Sequence, residues 1–125
     1  MGQAKPFRPI ALVVEDDPLQ SSFASTVLEE AEFNVIECRS AEAALVVLQD
    51  RDARIAFVFT DVNLAGTING LELGAIIREL YPRTAVVITS GDIRDRASEI
   101  PTGMQFMQKP WRPLDLLVAA ERARA

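Results

Sequence analysis

The stretch "ALVVEDDPL" (residues 11–19) runs four apolar residues into three consecutive carboxylates, Glu15, Asp16 and Asp17, and then a proline. With the residues before it, "PIALVVE" (9–15) is a short, β-branched apolar run of the kind that forms a buried strand. Asp17 followed by Pro18 pairs a helix N-cap with a first helical residue. The strand therefore ends in a knot of anions where a helix begins. Carboxylates a few ångströms apart repel and raise each other's pKa, so the cluster calls for a compensating cation.

Outward from this point the same alternation recurs. Phe23, Ala24, Val27, Leu28 and Ala31 stand at three- and four-residue spacing and predict the inner face of a first helix. "NVIEC" (34–38) predicts a second strand, and Ser40 caps a second helix with Ala41, Ala44, Leu45 and Leu48 on one face. "IAFVFT" (55–60) is a continuous apolar strand that ends at Asp61, and the loop "DVNLAGTING" follows it. A third helix starts near Gly70, turns Leu73, Ile77 and Leu80 inward, and stops at Pro82. "TAVVIT" (84–89) and "MQFMQ" (104–108) predict the fourth and fifth strands, with a short, polar helix in "GDIRDRASEIP" between them. "RPLDLLVAAERAR" (112–124) predicts a last helix with Leu114, Leu117 and Val118 inward. Strands alternating with helices, and strands that are apolar throughout, argue for an α/β fold with a parallel sheet covered on both faces.

Composition limits the function. A chain of 125 residues supports one domain with one sizeable core. No apolar run is long enough to span a bilayer, and no signal-peptide pattern is present, so a cytoplasmic protein without membrane contact is expected. The polar, proline-punctuated residues 1–8 read as a flexible lead, with Pro6 where myristoylation wants Ser or Thr, and residues 9–125 as the domain. A single cysteine, Cys38, excludes an internal disulfide and reads as a small apolar residue. The absence of histidine removes His-based zinc sites and Ser-His triads. A net charge of −5 argues against nucleic acid as a partner.

Right-handed crossovers place every strand's C-terminal end on one edge, where ligands of open α/β sheets bind. That edge collects Glu15, Asp16 and Asp17 from the first strand, Asp61 and Asn63 from the third, Thr89 and Ser90 from the fourth, and Lys109 and Pro110 from the fifth. Oxygen donors of this kind suit Mg²⁺, which takes one or two carboxylates, keeps waters, and binds phosphate oxygens. Asp16 and Asp61 are the natural direct ligands, with Glu15 acting through water. Lys109 and Thr89 supply an ammonium and a hydroxyl for phosphoryl oxygens. Asp61 is the candidate nucleophile, since carboxylates form aspartyl phosphates.

The motifs "VVEDD", "FTDVN", "VITSG" and "QKPW", in this order and spacing, resemble the receiver domain of bacterial response regulators of two-component signalling, chemotaxis-type chains included. The resemblance runs from Pro9 to the end. It implies a flavodoxin-like (βα)5 three-layer sandwich with strand order 2-1-3-4-5. It implies Asp61 as phosphoacceptor, with Glu15, Asp16 and the backbone carbonyl of Asn63 completing a Mg²⁺ (or Mn²⁺) site. Thr89 takes the place of the switch hydroxyl, Lys109 that of the phosphate-binding lysine, and Phe106 that of the switch aromatic. Asp17 is left to cap the first helix, and the Lys109–Pro110 bond is expected to be cis. The implied partners are a histidine kinase or histidine phosphotransfer protein, and a downstream protein. The latter meets the face built from the fourth and fifth strands and the helices after them.

Several positions depart from the family's pattern. The loop after Asp61 has Ala65 in place of a proline, one residue more before Gly70, and Asn69 in place of the usual acid, so it is expected to be less pre-set. Asn63 and Gly91 beside the site leave room for water, which favours a short-lived phosphoryl group. Trp111 stands where phenylalanine is common. No output segment follows Ala125 in the sequence, so the expected output is protein contact, competition for phosphoryl groups, or further domains of a longer chain. Two other readings fit part of the pattern. A haloacid-dehalogenase-like phosphohydrolase also uses a strand-end aspartate, but wants a second aspartate where Asn63 stands. A receiver-fold interaction module would work unphosphorylated.

Overall fold

The computed structural model describes residues 8–50, 54–91 and 103–124. Five strands, β1 (Ile10–Val14), β2 (Asn34–Cys38), β3 (Ile55–Asp61), β4 (Ala85–Ser90) and β5 (Gln105–Gln108), form one parallel sheet in the order β2-β1-β3-β4-β5. Helices α1 (Pro18–Glu30), α2 (Ala41–Leu48), α3 (Gly70–Leu80) and α4 (Pro113–Arg124) cover it. This is the flavodoxin-like order expected above. The polar helix predicted in 91–101, from residue 92 on, and residues 1–7 of the predicted lead (1–8) lie outside the described residues.

Alternation along β1 divides the core. Leu12 and Val14 face one layer with Cys38, Ala44, Leu48, Val58, Leu73, Ile77 and Ile88. Ala11 and Val13 face the other with Ala24, Leu28, Phe33, Phe57, Phe59, Leu116 and Ala120. Each aliphatic or aromatic side chain that is fully buried stabilises the fold by about 1.5–3 kcal/mol, so β1, buried on both faces, anchors the sheet. Cys38 is among these buried residues, and burial pushes its thiol pKa up to about 11.

Caps fix where the helices begin. The Asp17 side chain accepts from Leu19 N at 2.9 Å, which holds that carboxyl below its ordinary pKa. The Ser40 hydroxyl accepts from Ala43 N. Asn69 and Glu72 form a complete capping box at α3, each side chain accepting from the other's backbone N–H. At the far end of α1, Arg124 Nη1 donates to the carbonyls of Ala31 and Glu32, satisfying groups the helix leaves open.

Four inward assignments, Phe23, Leu80, Leu114 and Val118, are corrected. Leu80, the last residue of α3, is 62% exposed. Leu114 and Val118 are 61% and 43% exposed, and α4 instead buries Leu116, Ala119 and Ala120. The last helix carries two stripes at helical spacing, and the one with the small alanines lets it approach the sheet closely. Phe23 is half-exposed, and stacks on Trp111 with ring centroids 5.1 Å apart.

Candidate functional site

In this strand order the connection after β1 runs to β2 on one side and the connection after β3 runs to β4 on the other, so a crevice opens at the C-terminal ends of β1 and β3. Sheet register decides what meets there. Asp61 and Thr89 are paired neighbours on β3 and β4. Val62 N donates to Thr89 O, and Lys109 N to Ser90 O, so the backbone beyond β5 is tied to the end of β4. The Lys109–Pro110 peptide is cis, as the resemblance implied. The resulting cleft measures about 450 Å³ and is lined by Glu15, Gln20, Asp61, Thr89 and Lys109, with Phe23, Phe59 and Trp111 on its apolar side.

Lys109 organises the charges. Its Nζ donates to Asp61 Oδ2 at 2.8 Å, to Gln20 Oε1 at 2.7 Å and to Glu15 Oε1 at 3.4 Å. Burial works against the ammonium, but the hydrogen bond and charge of Asp61, then those of Glu15, outweigh it and raise its pKa. The sequence points to a divalent ion as the offset for the carboxylate repulsion. In the structure Lys109 itself bridges the two buried carboxylates. Among the described residues no three Asp, Glu, His or Cys side chains are grouped to hold a metal ion. Asp16 is exposed, and Glu15 and Asp61 are engaged by the lysine.

Glu15 is buried, and its pKa is raised from the ordinary 4.5 to about 7. Burial is the main cause. The charge of Asp61 and a hydrogen bond with Asp16 add to it, while the Asp17 N–H, 3.2 Å from Glu15 Oε2, and Lys109 act in the opposite direction. A carboxyl with a raised folded-state pKa contributes stability that is complete below the unfolded value and lost as pH climbs through about 7. Glu15→Gln removes that loss. Its melting temperature in EDTA should exceed that of the wild type by about 4 °C at pH 8, with the gap closing toward pH 5 as both are scanned.

The remaining predicted residues fall as follows. Asn63 N donates to Asp61 Oδ1 at 3.2 Å, so residue 63 stays beside the carboxylate and its backbone is available to the site. Thr89 is buried and its Oγ1 has no hydrogen-bond partner. A buried hydroxyl without a partner is costly, and it stands on the strand position paired with Asp61. Phe106 is half-buried and packs against the layer that contains Ile88. Gln20 was not singled out from the sequence. The signal for it is the pattern Asp17-x-x-Gln20, which resembles a capping box and directs residue 20 back toward the helix start.

The loop after Asp61 is held from α2. Glu42 Oε2 accepts from Thr67 N at 3.1 Å and Thr67 Oγ1 at 2.9 Å, and Ser40 pairs with Ala65 in a parallel bridge. Gly66 has φ +100°, and a Cβ there would lie 2.9 Å from Glu42 Oε1, so only glycine leaves the clasp intact. The Glu42 contacts take over from the absent proline. Glu42→Ala should speed hydrogen exchange at the Thr67 amide by about tenfold, read by NMR, with Asp61 still in place.

The donors fit a hard cation that takes one or two carboxylates and waters. Glu15 and Asp61 bring two carboxylates to the cleft beside its apolar wall, and the buried Thr89 hydroxyl has no hydrogen-bond partner.

Residues 11–121 match the response regulator receiver domain family. The nitrogen assimilation regulatory protein NtrX of Azorhizobium caulinodans is 34% identical over 116 residues, covering 90% of this chain and 25% of that protein. The heme response regulator HssR of Staphylococcus saprophyticus is 32% identical, covering 85% of this chain and 47% of its own. The chain thus spans a quarter to a half of the length of these relatives. Among solved structures, the receiver domain of NtrX from Brucella abortus superposes with a TM-score of 0.78 at 30% identity, covering 90% of this chain and 96% of that one. The signal receiver domain of an HD domain-containing protein from Pseudomonas fluorescens Pf-5 shares the fold, with a TM-score of 0.84 at 24% identity over 94% and 95% of the two chains. With its motifs, its strand order and a family match over nearly its whole length, the chain belongs to the response regulator receiver domain family.

Proposed function

We propose that this chain accepts a phosphoryl group on Asp61 from a phosphohistidine donor and thereby switches a protein-binding face. The donor is a histidine kinase or a histidine phosphotransfer protein. A carboxylate oxygen of Asp61 attacks phosphorus, the phosphorus–nitrogen bond of the donor breaks, and its electron pair stays on the imidazole, which takes up a proton. Lys109 already touches Asp61 and meets the charge that develops on the phosphoryl oxygens. Glu15, Asp16, Asp61 and the Asn63 carbonyl would hold Mg²⁺ or Mn²⁺. When bound, the ion neutralises charge on the transferring group.

One observation carries this reading: the buried Thr89 hydroxyl, unpartnered, on the strand position paired with Asp61. A phosphoryl oxygen on Asp61 gives it an acceptor, and the lysine gives a second oxygen its donor. Each new contact favours one of two arrangements of β4, β5 and the segments after them, and so shifts their populations. Phe106, half-buried on β5, is the aromatic that follows that shift. The downstream partner is a protein that reads this face, in the manner of chemotaxis-type receivers, in the cytoplasm and without nucleic acid or membrane. Among the described residues no helix is long and apolar enough to cross a membrane.

Incubation with acetyl phosphate and Mg²⁺ tests the proposal. One phosphoryl group should add to the chain, and borohydride trapping should convert residue 61 to homoserine, mapped by mass spectrometry. Label at another residue, or none in the presence of Mg²⁺, contradicts it.

A further inference from the structure

Helices α1 and α3 begin with the same local pattern, an N-cap carboxyl or amide followed three residues on by Gln or Glu, yet they use it differently. At α3 the box is closed, and Glu72 Oε1 accepts from the Asn69 N–H at 3.0 Å. At α1 the corresponding N–H, that of Asp17, is already taken by Glu15 Oε2. The carboxamide of Gln20 is therefore released from capping. Its Nε2 donates to Asp17 Oδ2 at 3.2 Å, and its Oε1 accepts from Lys109 Nζ at 2.7 Å. These partners fix which way the amide points, since a carboxylate demands the NH₂ and an ammonium demands the oxygen.

We propose that Gln20 is a positioning residue for phosphoryl transfer, holding the Lys109 ammonium over Asp61 from the start of α1. This rests on the reading of Asp61 as acceptor. Lys109 has three partners, and two of them, Asp61 and Glu15, belong to the group that is phosphorylated and to the proposed cation site. Both change their engagements when the reaction proceeds. Gln20 takes no part in either, so its contact persists through the transfer. A lysine on a flexible stem loses catalytic value when its head wanders, because misplacement by about 1 Å is costly. The chain Asp17–Gln20–Lys109 anchors that head to a helix whose start is fixed by its own cap.

The test uses Gln20→Met, which keeps length and helix propensity at an exposed site. Acetyl phosphate should label Asp61 about tenfold more slowly in the variant than in the wild type. In a Lys109→Met background the same change should alter the rate by less than about twofold, because the partner it acts through is gone. The chain has only two lysines, Lys5 and Lys109, so the Lys109 Cε–Hε NMR signal is readily assigned. In metal-free protein it should shift and broaden in Gln20→Met. An unchanged labelling rate in the single variant overturns the proposal, whether or not the signal moves, as does a full additive loss in the Lys109→Met background. If the wild type takes no label at all, the acceptor reading fails on its own. The NMR signal then decides the lysine contact, a shift supporting it and an unmoved signal overturning it.

Discussion

Asp61→Asn is expected to leave the chain folded and to abolish labelling by acetyl phosphate or by a phosphohistidine donor. The carboxamide has nearly the same shape, and its oxygen still accepts from Asn63 N as Asp61 Oδ1 does. What it lacks is the charge that makes the oxygen a nucleophile. Lys109 loses one ion pair at 2.8 Å but keeps Glu15 and Gln20. The loss is offset in part because Asp61 no longer pushes on the ionised Glu15, one of the causes of its raised pKa. The melting temperature should therefore stay within about 4 °C of the wild type, while the label, followed by mass spectrometry, falls below detection. A variant that still takes up label places the acceptor elsewhere.

Gly70→Ala should be the most destabilising single change near the site. Gly70 opens α3 directly beneath the end of β3, and its N–H donates to Val62 O at 2.9 Å. A Cβ at this position would lie 1.9 Å from the backbone oxygen of Asp61 and 2.9 Å from the Cα of Val62. These are main-chain atoms of a buried strand, and no side-chain rotamer relieves the clash. Either α3 lifts off the sheet or the strand end bends, at a cost of about 3 kcal/mol. In a domain of this size that lowers the melting temperature by roughly 12 °C or more. Labelling at Asp61 should slow as well, since the atom displaced is its own carbonyl. Thermal unfolding followed by circular dichroism measures the first effect. A melting temperature within about 2 °C of the wild type would show that α3 yields without cost.

Much of this architecture is readable from the residues. Continuous apolar runs such as 55–60 are what a strand buried on both faces requires, and Asp17, Ser40 and Asn69 each occupy the N-cap of a helix. The edge on which Glu15, Asp61, Thr89 and Lys109 meet follows from the alternation alone, because parallel crossovers put all strand ends together. Periodicity fails where it offers two answers. In α4 the larger residues Leu114 and Val118 form the stronger stripe, but the smaller Ala119 and Ala120 pack closer to the sheet and win. The contacts of long polar side chains are also hidden from sequence. Nothing in spacing says that Lys109 bridges Glu15 and Asp61, that Gln20 turns to the lysine, or that Glu42 reaches across to Thr67. Those depend on three-dimensional distances between residues up to 94 positions apart.

In the function proposed above, the carboxylates at the ends of β1 and β3 take up a divalent cation in readying Asp61 for phosphorylation. Titration of Mg²⁺ into the chain, followed by calorimetry and by the fluorescence of its single tryptophan, Trp111, at the wall of the same cleft, tests it most directly. The expected result is saturable one-to-one binding that is lost when Asp16 and Asp61 are both replaced by Asn. Absence of any saturable response to Mg²⁺ or Mn²⁺ in the wild type, or an equal response in the double variant, would contradict it.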